Sequence, residues 1–244
     1  VWLVAQILGA AGRTRALLLL SCALCVLTLC FFKYYDSLLE LYAAAFCTDA
    51  GQSAAFSPPE LVMPVGMSFY VFASITYLVA VARGARPESL LAVLTYLSFF
   101  PTVMMGPIMR SPRFFRQYHA AAPRRPGHLS LILTLLLFAA VKKLWLATYT
   151  GVYVHAQLGD PGAQGALGLV TGLAAYSFQI YFDFSGYVDL VAALALMLGF
   201  RLPPNFRRPY TSRNLQEFWQ RWHISLSYFI RDFIYIPLGG SRRG

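Results

Sequence analysis

The sequence predicts an all-α fold, a polytopic transmembrane helical protein with re-entrant helices. Three observations predict this fold class. Hydrophobic residues make up 58% of the 244 residues, charged residues make up only 12%, and the apolar residues are gathered into long runs. This composition lies outside that of a soluble globular domain. A helix needs roughly 20 apolar residues to cross a bilayer, so a lipid solvent is the simplest explanation.

Five apolar runs approach or reach that length. They are Arg15 to Phe32, Leu61 to Ala82, Leu90 to Met109, Leu129 to Leu146 and Gly165 to Phe200. Pro101, Gly106 and Pro107 interrupt the third run, and a broken backbone at membrane depth is tolerated where protein or a cavity surrounds it. We therefore expect a re-entrant element there. The fifth run is too long for one straight crossing, and its Ser185-Gly186 pair predicts a single kinked helix.

The net charge of +10 raises the question of nucleic-acid binding. The basic residues do not form one basic face, however, but lie in short connections between the apolar runs, which is the positive-inside pattern of membrane proteins. We therefore expect membrane lipid as a partner and no nucleic acid. The pattern places Arg13 and Arg15 inside and the acidic stretch after the first helix outside. It also places the arginines that follow Met109 inside, which agrees with a run that dips in and returns.

Within the last apolar run, the segment 179–189 carries Gln179, Asp183, Ser185 and Asp189. At helical spacing Gln179 and Asp183 share one face, and Ser185 shares another with Asp189. Intramembrane carboxylates are costly unless they are paired or face a cavity. Two interpretations stay open. The carboxylates hold helices together through Lys142, Lys143 or an arginine, or they line a substrate channel or an ion relay.

The segment after residue 213 predicts a helix of a different kind. Asn214 can cap its start, with Glu217 three residues on in a capping-box arrangement, and Glu217 is spaced to pair with Arg221. A continuous helix would place Trp219 and His223 on one apolar stripe with Leu226 and Ile230. Such a histidine is either a packed core residue or a functional one. Burial would keep its imidazole neutral, which is the form that a general base needs.

Other site chemistries find little support. Cys22 and Cys25 form a lone C-x-x-C within an apolar helix, which favours ordinary packing over zinc or redox chemistry. The sequence contains no phosphate-cradling glycine-rich loop, nucleophile elbow or metal-ligand cluster, so we expect no metal and no bound cofactor. We expect residues 1–244 to be a single membrane domain, incomplete at both ends.

Several blocks of the sequence resemble the membrane-bound O-acyltransferase (MBOAT) family, in its alginate O-acetyltransferase-like branch. The blocks are 65–70, 98–101, 106–110, 179–187 and the long final block that runs through 205–210, 217–227, 231–232 and 236–240. The most specific part reads Glu217-Phe-Trp-Gln-Arg-Trp-His-Ile-Ser-Leu-Ser227. The likeness extends from about Phe32 onward.

The resemblance implies the movement of an acetyl or other acyl group from a cytoplasmic thioester, such as acetyl-CoA, toward an exported polysaccharide acceptor. It also implies a bacterial inner (cytoplasmic) membrane location and an SGNH-type hydrolase or acetyltransferase partner. His223 matches the first of the two functionally important histidines of the family. The second lies in a Trp-His-Gly segment farther along than Gly244, so activity of this stretch by itself is not implied.

From the residues and the resemblance together we expect His223 to be the catalytic residue. We expect the residues that line the substrate channel to be Asp183, Gln179, Asp189, Trp219, Trp222 and Ser225. Arg207, Arg208 and Arg221 are candidates for holding the donor phosphates, because guanidinium groups suit bidentate phosphate contacts. The alternative functions are a non-catalytic membrane scaffold and a transporter-like component of a polysaccharide export complex.

Overall fold

The fold is described from a computed structural model, which describes residues 1–10, 15–46, 61–120 and 129–243. Within these ranges the secondary structure is helical and no strand occurs. Arg13, Asp49, Glu60, Arg124, Arg125 and His128 lie outside the described residues, so the loop charges there stay predictions. The chain forms two compact units: Val1–Met104 with Arg110–Arg116, and Met105–Met109 with Gln117–Gly244.

The helices of the first unit are α1 (Trp2–Ala10), α2 (Arg15–Phe46), α3 (Met67–Ala82), α4 (Leu90–Leu97), α5 (Phe100–Val103) and most of α6 (Ser111–Tyr118). Aromatic side chains form much of its core. Tyr96 lies 5.0 Å, centroid to centroid, from the ring of Phe114 and 5.4 Å from that of Phe115. Its hydroxyl is 2.7 Å from the hydroxyl oxygen of Thr76, so the buried phenol does not lose its hydrogen bond.

The third apolar run is broken, as the sequence predicts. Helix α4 ends at Leu97, α5 carries Pro101 in its first turn, and residues 104–110 are not helical. Proline lacks an N–H and fixes its own φ, so these residues cannot continue one straight helix. Whether this segment dips into the membrane and returns stays a prediction.

The second unit is built on a helical hairpin. Helix α7 (Leu129–Ala140) passes through a π-helical turn (Val141–Leu146) into α8 (Ala147–Leu158), and α9 (Ala166–Met197) returns beside them. The predicted end at Leu146 is therefore too early, because the helical segment continues to Leu158 and places the two lysines near its middle. The fifth run is one helix of 32 residues, as the prediction of a single passage requires.

Three helical segments of the described chain are long and apolar enough to cross a membrane: Arg15–Ala45, Leu129–Leu158 and Ala166–Met197. Helix α3 is apolar but shorter. The outward surfaces of the three long segments carry many large apolar side chains, such as Leu19 at 69% exposure and Leu144 at 73%. A water-soluble protein would not leave such surfaces uncovered on this scale. The all-α transmembrane fold class is thus confirmed.

The end of the chain contains α10 (Leu215–Arg221) and α11 (Ile224–Ile230), followed by a π-helical turn (Arg231–Tyr235). The predicted continuous helix from residue 214 onward is wrong. It breaks at Trp222 and His223, and the stripe that was to align Trp219 with His223 does not form.

Candidate functional site

Helix α10 begins as the sequence predicts. The Asn214 side-chain oxygen accepts a hydrogen bond from the Glu217 N–H at 2.8 Å, and Glu217 forms the expected ion pair with Arg221. The Glu217 carboxylate reaches back to the N–H of Arg213 at 2.7 Å, one residue before the cap. That hydrogen bond, followed by the nearby Arg221 guanidinium, lowers the pKa of Glu217 below its ordinary value.

The break after α10 is held in a left-handed backbone conformation. His223 has φ 41° and ψ 52°, which is uncommon for a residue with a side chain and costs conformational energy. Two hydrogen bonds to a neighbouring segment satisfy backbone groups that a continuous helix would have bonded internally. The Arg207 N–H donates to the carbonyl oxygen of Arg221 at 2.9 Å, and the Ile224 N–H donates to that of Asn205 at 3.0 Å. A neighbouring extended segment therefore determines where α10 stops.

Asn205 also holds the break with its side chain, which is only 1% exposed. Its Oδ1 atom accepts from the N–H of Ser225 at 3.1 Å and from the Ser225 hydroxyl at 2.8 Å. The same oxygen lies 3.2 Å from Nδ1 of His223. The Ser225 hydroxyl in turn accepts from the N–H of Ile108 at 3.0 Å. One buried carbonyl thus organises the first turn of α11 and the imidazole beside it.

Aromatic rings surround the imidazole. The ring of Phe184 on α9 meets that of His223 edge to face, with 4.8 Å between centroids. Because the imidazole is largely buried, desolvation lowers the pKa of His223 from its ordinary value near 6.5 to about 4. The side chain is therefore neutral at physiological pH, as the sequence analysis expects.

The two tryptophans occupy different surroundings. Trp222 belongs to an aromatic cluster, stacked on Phe218 at 5.5 Å and edge to face with Phe206 at 5.1 Å. Trp219 packs against Phe218 and is 52% exposed. The break moves Trp219 off the face that carries His223, so the expected alignment of these two side chains is wrong.

The polar residues of α9 meet the two lysines of the neighbouring helix. Lys142 Nζ lies 2.6 Å from the Asp189 carboxylate and 2.8 Å from the Ser185 hydroxyl, and Lys143 pairs with Asp183. This is the first of the two interpretations that the sequence left open. Asp183 and Asp189 act at least as helix-pairing groups, whereas a channel-lining role for them stays a prediction.

Gly186 explains how the two pairs fit side by side. At 3.6 residues per turn the two aspartates lie three residues before and after it, hence about 60° to either side of the contact line. A Cβ atom on Gly186 would lie 3.0 Å from the Lys142 Cβ and 3.2 Å from the Lys143 backbone nitrogen. The π-helical turn helps two consecutive lysines to face the same partner helix. Gln179, farther along, packs closely against Gly151 of α8.

The three arginines proposed for the donor phosphates line one cavity. The cavity has a volume of about 710 Å³, and its lining consists of Arg207, Arg208, Glu217, Gln220, Arg221, Tyr228 and Arg231. Arg221 is paired with Glu217 and Arg231 with Asp232. No ion pair involves Arg207 or Arg208 within the described residues, so the cavity carries excess positive charge. Arg231 is a lining residue that the sequence analysis did not assign.

Asn205 is the main residue of the site that sequence reasoning missed. It was noted only as the first letter of a motif block, because an asparagine in a Pro-Pro-Asn-Phe loop is most simply a turn residue. Its apolar neighbours Pro204 and Phe206 were the one available signal of burial. No group of three or more histidine, cysteine or acidic side chains that could hold a metal occurs in the described part of the chain.

Comparison with known proteins gives several clear matches. The model of the MBOAT, membrane-bound O-acyltransferase, family matches residues 16–244. A probable alginate O-acetylase AlgI of Pseudomonas syringae pv. tomato is 38% identical over 97% of this chain and 46% of its own length. A peptidoglycan O-acetyltransferase of Helicobacter pylori is 32% identical over 87% of this chain and 44% of its own length.

A more distant relative is the teichoic acid D-alanyltransferase of Streptococcus thermophilus, which is 31% identical over 71% of this chain and 44% of its own length. The chain therefore spans less than half the length of these relatives. The family match covers nearly all of the chain and includes the His223 break, the Asn205 loop and the arginine-lined cavity. These 244 residues belong to the membrane-bound O-acyltransferase family.

Proposed function

We propose that the protein containing this chain is an O-acyltransferase of a bacterial inner membrane, which moves an acetyl group from a cytoplasmic thioester toward an exported polysaccharide. The observation that carries the proposal is the neutral, oriented imidazole of His223 in a chain of this family. The names of the AlgI and Helicobacter pylori relatives both refer to O-acetylation, of alginate and of peptidoglycan. A polysaccharide hydroxyl is therefore the acceptor that we favour.

The chemistry requires a hydroxyl oxygen to attack the thioester carbonyl carbon, after which the carbon–sulfur bond breaks and a thiolate leaves. A neutral imidazole can accept the hydroxyl proton or a hydrogen bond from a reactant. With its pKa near 4, His223 has this form throughout the physiological range. We expect the histidine of a downstream Trp-His-Gly segment to be the stronger candidate for the base, with His223 orienting the donor or lining the channel.

The donor is proposed to be acetyl-CoA or a similar thioester. The arginine-lined cavity supports this choice, because several guanidinium groups around one opening suit the phosphates of coenzyme A. Arg207 and Arg221 also lie on the two segments that meet at His223, joined by the hydrogen bond between their backbones. The cavity and the imidazole are therefore positioned by the same short stretch of backbone.

Transfer from labelled acetyl-CoA by the full-length protein in proteoliposomes tests the function. An SGNH-type partner and a polysaccharide acceptor are supplied with it. We expect His223→Ala to abolish transfer while the variant still inserts into the membrane. Arg86→Ala is the matched control, because Arg86 is an exposed arginine of the other unit. Full transfer by the His223 variant would show that the imidazole is not required, and no transfer by the wild type would favour a scaffold or transporter.

The donor assignment has its own test. Arg207→Ala should raise KM for acetyl-CoA by at least about tenfold, since one charge-assisted hydrogen bond is worth about 1.5–3 kcal/mol and about 1.4 kcal/mol is a factor of ten. The same variant should leave KM unchanged for S-acetyl-pantetheine, which has no phosphate. An equal rise with both donors would show that the arginine does not read the phosphates.

A further inference from the structure

We infer that Asn205 is a positioning residue that holds His223 in the Nδ1–H tautomer and directs the lone pair of Nε2 toward the reactants. This inference rests on the proposed function for the role of Nε2, but the tautomer itself can be measured independently of activity. The identity of the atom that faces the imidazole determines the tautomer.

That atom is the oxygen of the Asn205 amide, not its nitrogen. The backbone N–H of Ser225 can only donate, and it points at this atom from 3.1 Å. An amide nitrogen in the same place would be a donor facing the Ser225 N–H, which is also a donor, so no hydrogen bond could form. The assignment of oxygen and nitrogen therefore follows from the backbone contact.

A carbonyl oxygen can only accept hydrogen bonds, so its partner on His223 must be a donor. Nδ1 lies 3.2 Å from it and must carry the proton. A neutral imidazole has a single N–H, so Nε2 is left with a free lone pair. The tautomer follows from one contact with a residue 18 positions earlier in the chain.

Two further features hold the ring in place. The left-handed backbone at His223 sets the direction in which the side chain leaves the chain, and the Phe184 ring packs edge to face against the imidazole. Strained conformations that persist in a structure are concentrated at functional sites. Here the strain turns the imidazole toward Asn205 and Phe184 and away from the α10 stripe.

The Nδ2 atom of Asn205 also indicates that the amide serves the site through its oxygen. Its Nδ2 atom is buried and has no hydrogen-bond partner among the described residues, which is a costly arrangement. An aspartate would supply the same acceptor oxygen without an orphaned N–H group. It would also bring a negative charge, and a carboxylate beside a histidine favours the imidazolium. Asparagine orients the ring and keeps it neutral.

Asn205 also has a structural role, because it accepts the N–H groups of Ile224 and Ser225 at the start of α11. The test must therefore separate orientation of the imidazole from simple helix capping. Asn214→Ala is the matched control. It removes the corresponding cap of α10 in the same unit, whereas Asn214 does not contact His223.

The measurement is the nitrogen NMR spectrum of ring-labelled histidine in the full-length protein in lipid nanodiscs. Subtraction of the His223→Gln spectrum assigns the signals of His223. We expect a protonated Nδ1 and an unprotonated Nε2 near pH 7 in the wild type and in Asn214→Ala. Asn205→Ala should lose this single-tautomer signature. A protonated Nε2 in the wild type, or an unchanged spectrum in Asn205→Ala, would overturn the inference.

Kinetics supply the second readout. Asn205→Ala should lower kcat by about tenfold, the order expected for one lost buried hydrogen bond, with little change in donor KM. Asn205→Asp keeps the capping oxygen, so it should fold and should move the acid limb of the kcat profile to higher pH. An unshifted profile in the aspartate variant would contradict the role of the neutral amide. Full activity of His223→Gln would overturn the role of Nε2. If the wild type transfers no acetyl group while the NMR result holds, the proposed function fails and the tautomer assignment stands.

Discussion

The side-chain oxygen of Asn205 lies 3.2 Å from Nδ1 of His223, across a break between two short helices. The same oxygen accepts two hydrogen bonds from Ser225. Asn205 therefore accepts hydrogen bonds from the first turn of α11 and orients the imidazole in the break before it.

The first prediction concerns pH and activity. Burial lowers the pKa of His223 to about 4, so the neutral form persists until the pH falls to about that value. If the neutral imidazole is required, transfer should lose activity through this group only near pH 4, well below the ordinary histidine value. A kcat profile of the full-length protein measures the limb. A limb near pH 6.5 that coincides with protonation of the labelled His223 ring in the NMR spectrum would contradict a buried imidazole.

The same pKa shift predicts a pH dependence of stability. Between about pH 4 and 6.5 the unfolded chain takes up a proton at His223, whereas the folded protein does not. The free energy of unfolding should therefore fall as the pH falls through this window and should be unaffected by this group above it. Thermal unfolding of His223→Gln in nanodiscs should show a weaker decline than that of the wild type. Parallel curves for the two proteins would be evidence against the shift.

The two lysine–aspartate pairs should differ in their contribution to stability. The Lys142 and Asp189 side chains are 22% and 20% exposed, against 42% and 50% for Lys143 and Asp183. An ammonium enclosed by protein cannot extend toward water when its partner is removed. Asp189→Ala should therefore destabilise the protein by about 2 kcal/mol, and Asp183→Ala by less. Thermal unfolding in nanodiscs gives the comparison.

A double variant checks the cause of that loss. Lys142→Met combined with Asp189→Ala removes both charges and should recover part of the stability that Asp189→Ala loses, because no unpaired ammonium remains. If the double variant loses as much stability as the Lys142→Met and Asp189→Ala single variants lose together, the two side chains do not act as a pair.

Gly186 should tolerate no larger residue. The Cβ of alanine there would meet the Lys142 Cβ at 3.0 Å and the Ala139 carbonyl oxygen at 3.3 Å, and neither is the free end of a flexible side chain. Gly186→Ala should therefore force the two helices to shift by a few tenths of an ångström and cost about 1–3 kcal/mol. Gly165→Ala is the control, because nothing lies within 4 Å of its added Cβ. Equal melting temperatures for the two variants would refute the close approach.

Gly66 makes a similar prediction in the first unit for a different reason. Its φ is +77°, and an added Cβ would lie 2.2 Å from the backbone oxygen of Val103. Gly66→Ala combines backbone strain with a clash against an atom that cannot rotate away. We expect a loss of at least about 1–2 kcal/mol in unfolding experiments. A variant as stable as the wild type would show that the Met67–Ala82 helix starts differently.

Much of the protein could be predicted from its sequence alone, because the signals involved are local. Apolar length sufficed for the transmembrane class, Pro101 and Gly106 for the broken third run, and Asn214 with Glu217 for the start of α10. The pairing of Lys142 and Lys143 with the aspartates of α9 was foreseen as one of two interpretations, because unpaired charges in an apolar helix are costly. The burial and neutrality of His223 also followed from its apolar neighbours.

Only the tertiary structure decided where the last helix breaks and how the break orients the imidazole of His223. Helical periodicity continued past Trp222, so the sequence predicted one helix and aligned Trp219 with His223. The backbone of residues 205–207 competes for the hydrogen bonds of that helix and ends it. The Asn205 side chain then contacts the imidazole. Such contacts join residues 14 or more positions apart, where local propensity carries no information. Sequence by itself therefore determined the membrane fold and pointed to His223 as the candidate site residue, whereas folding determined the orientation of its imidazole.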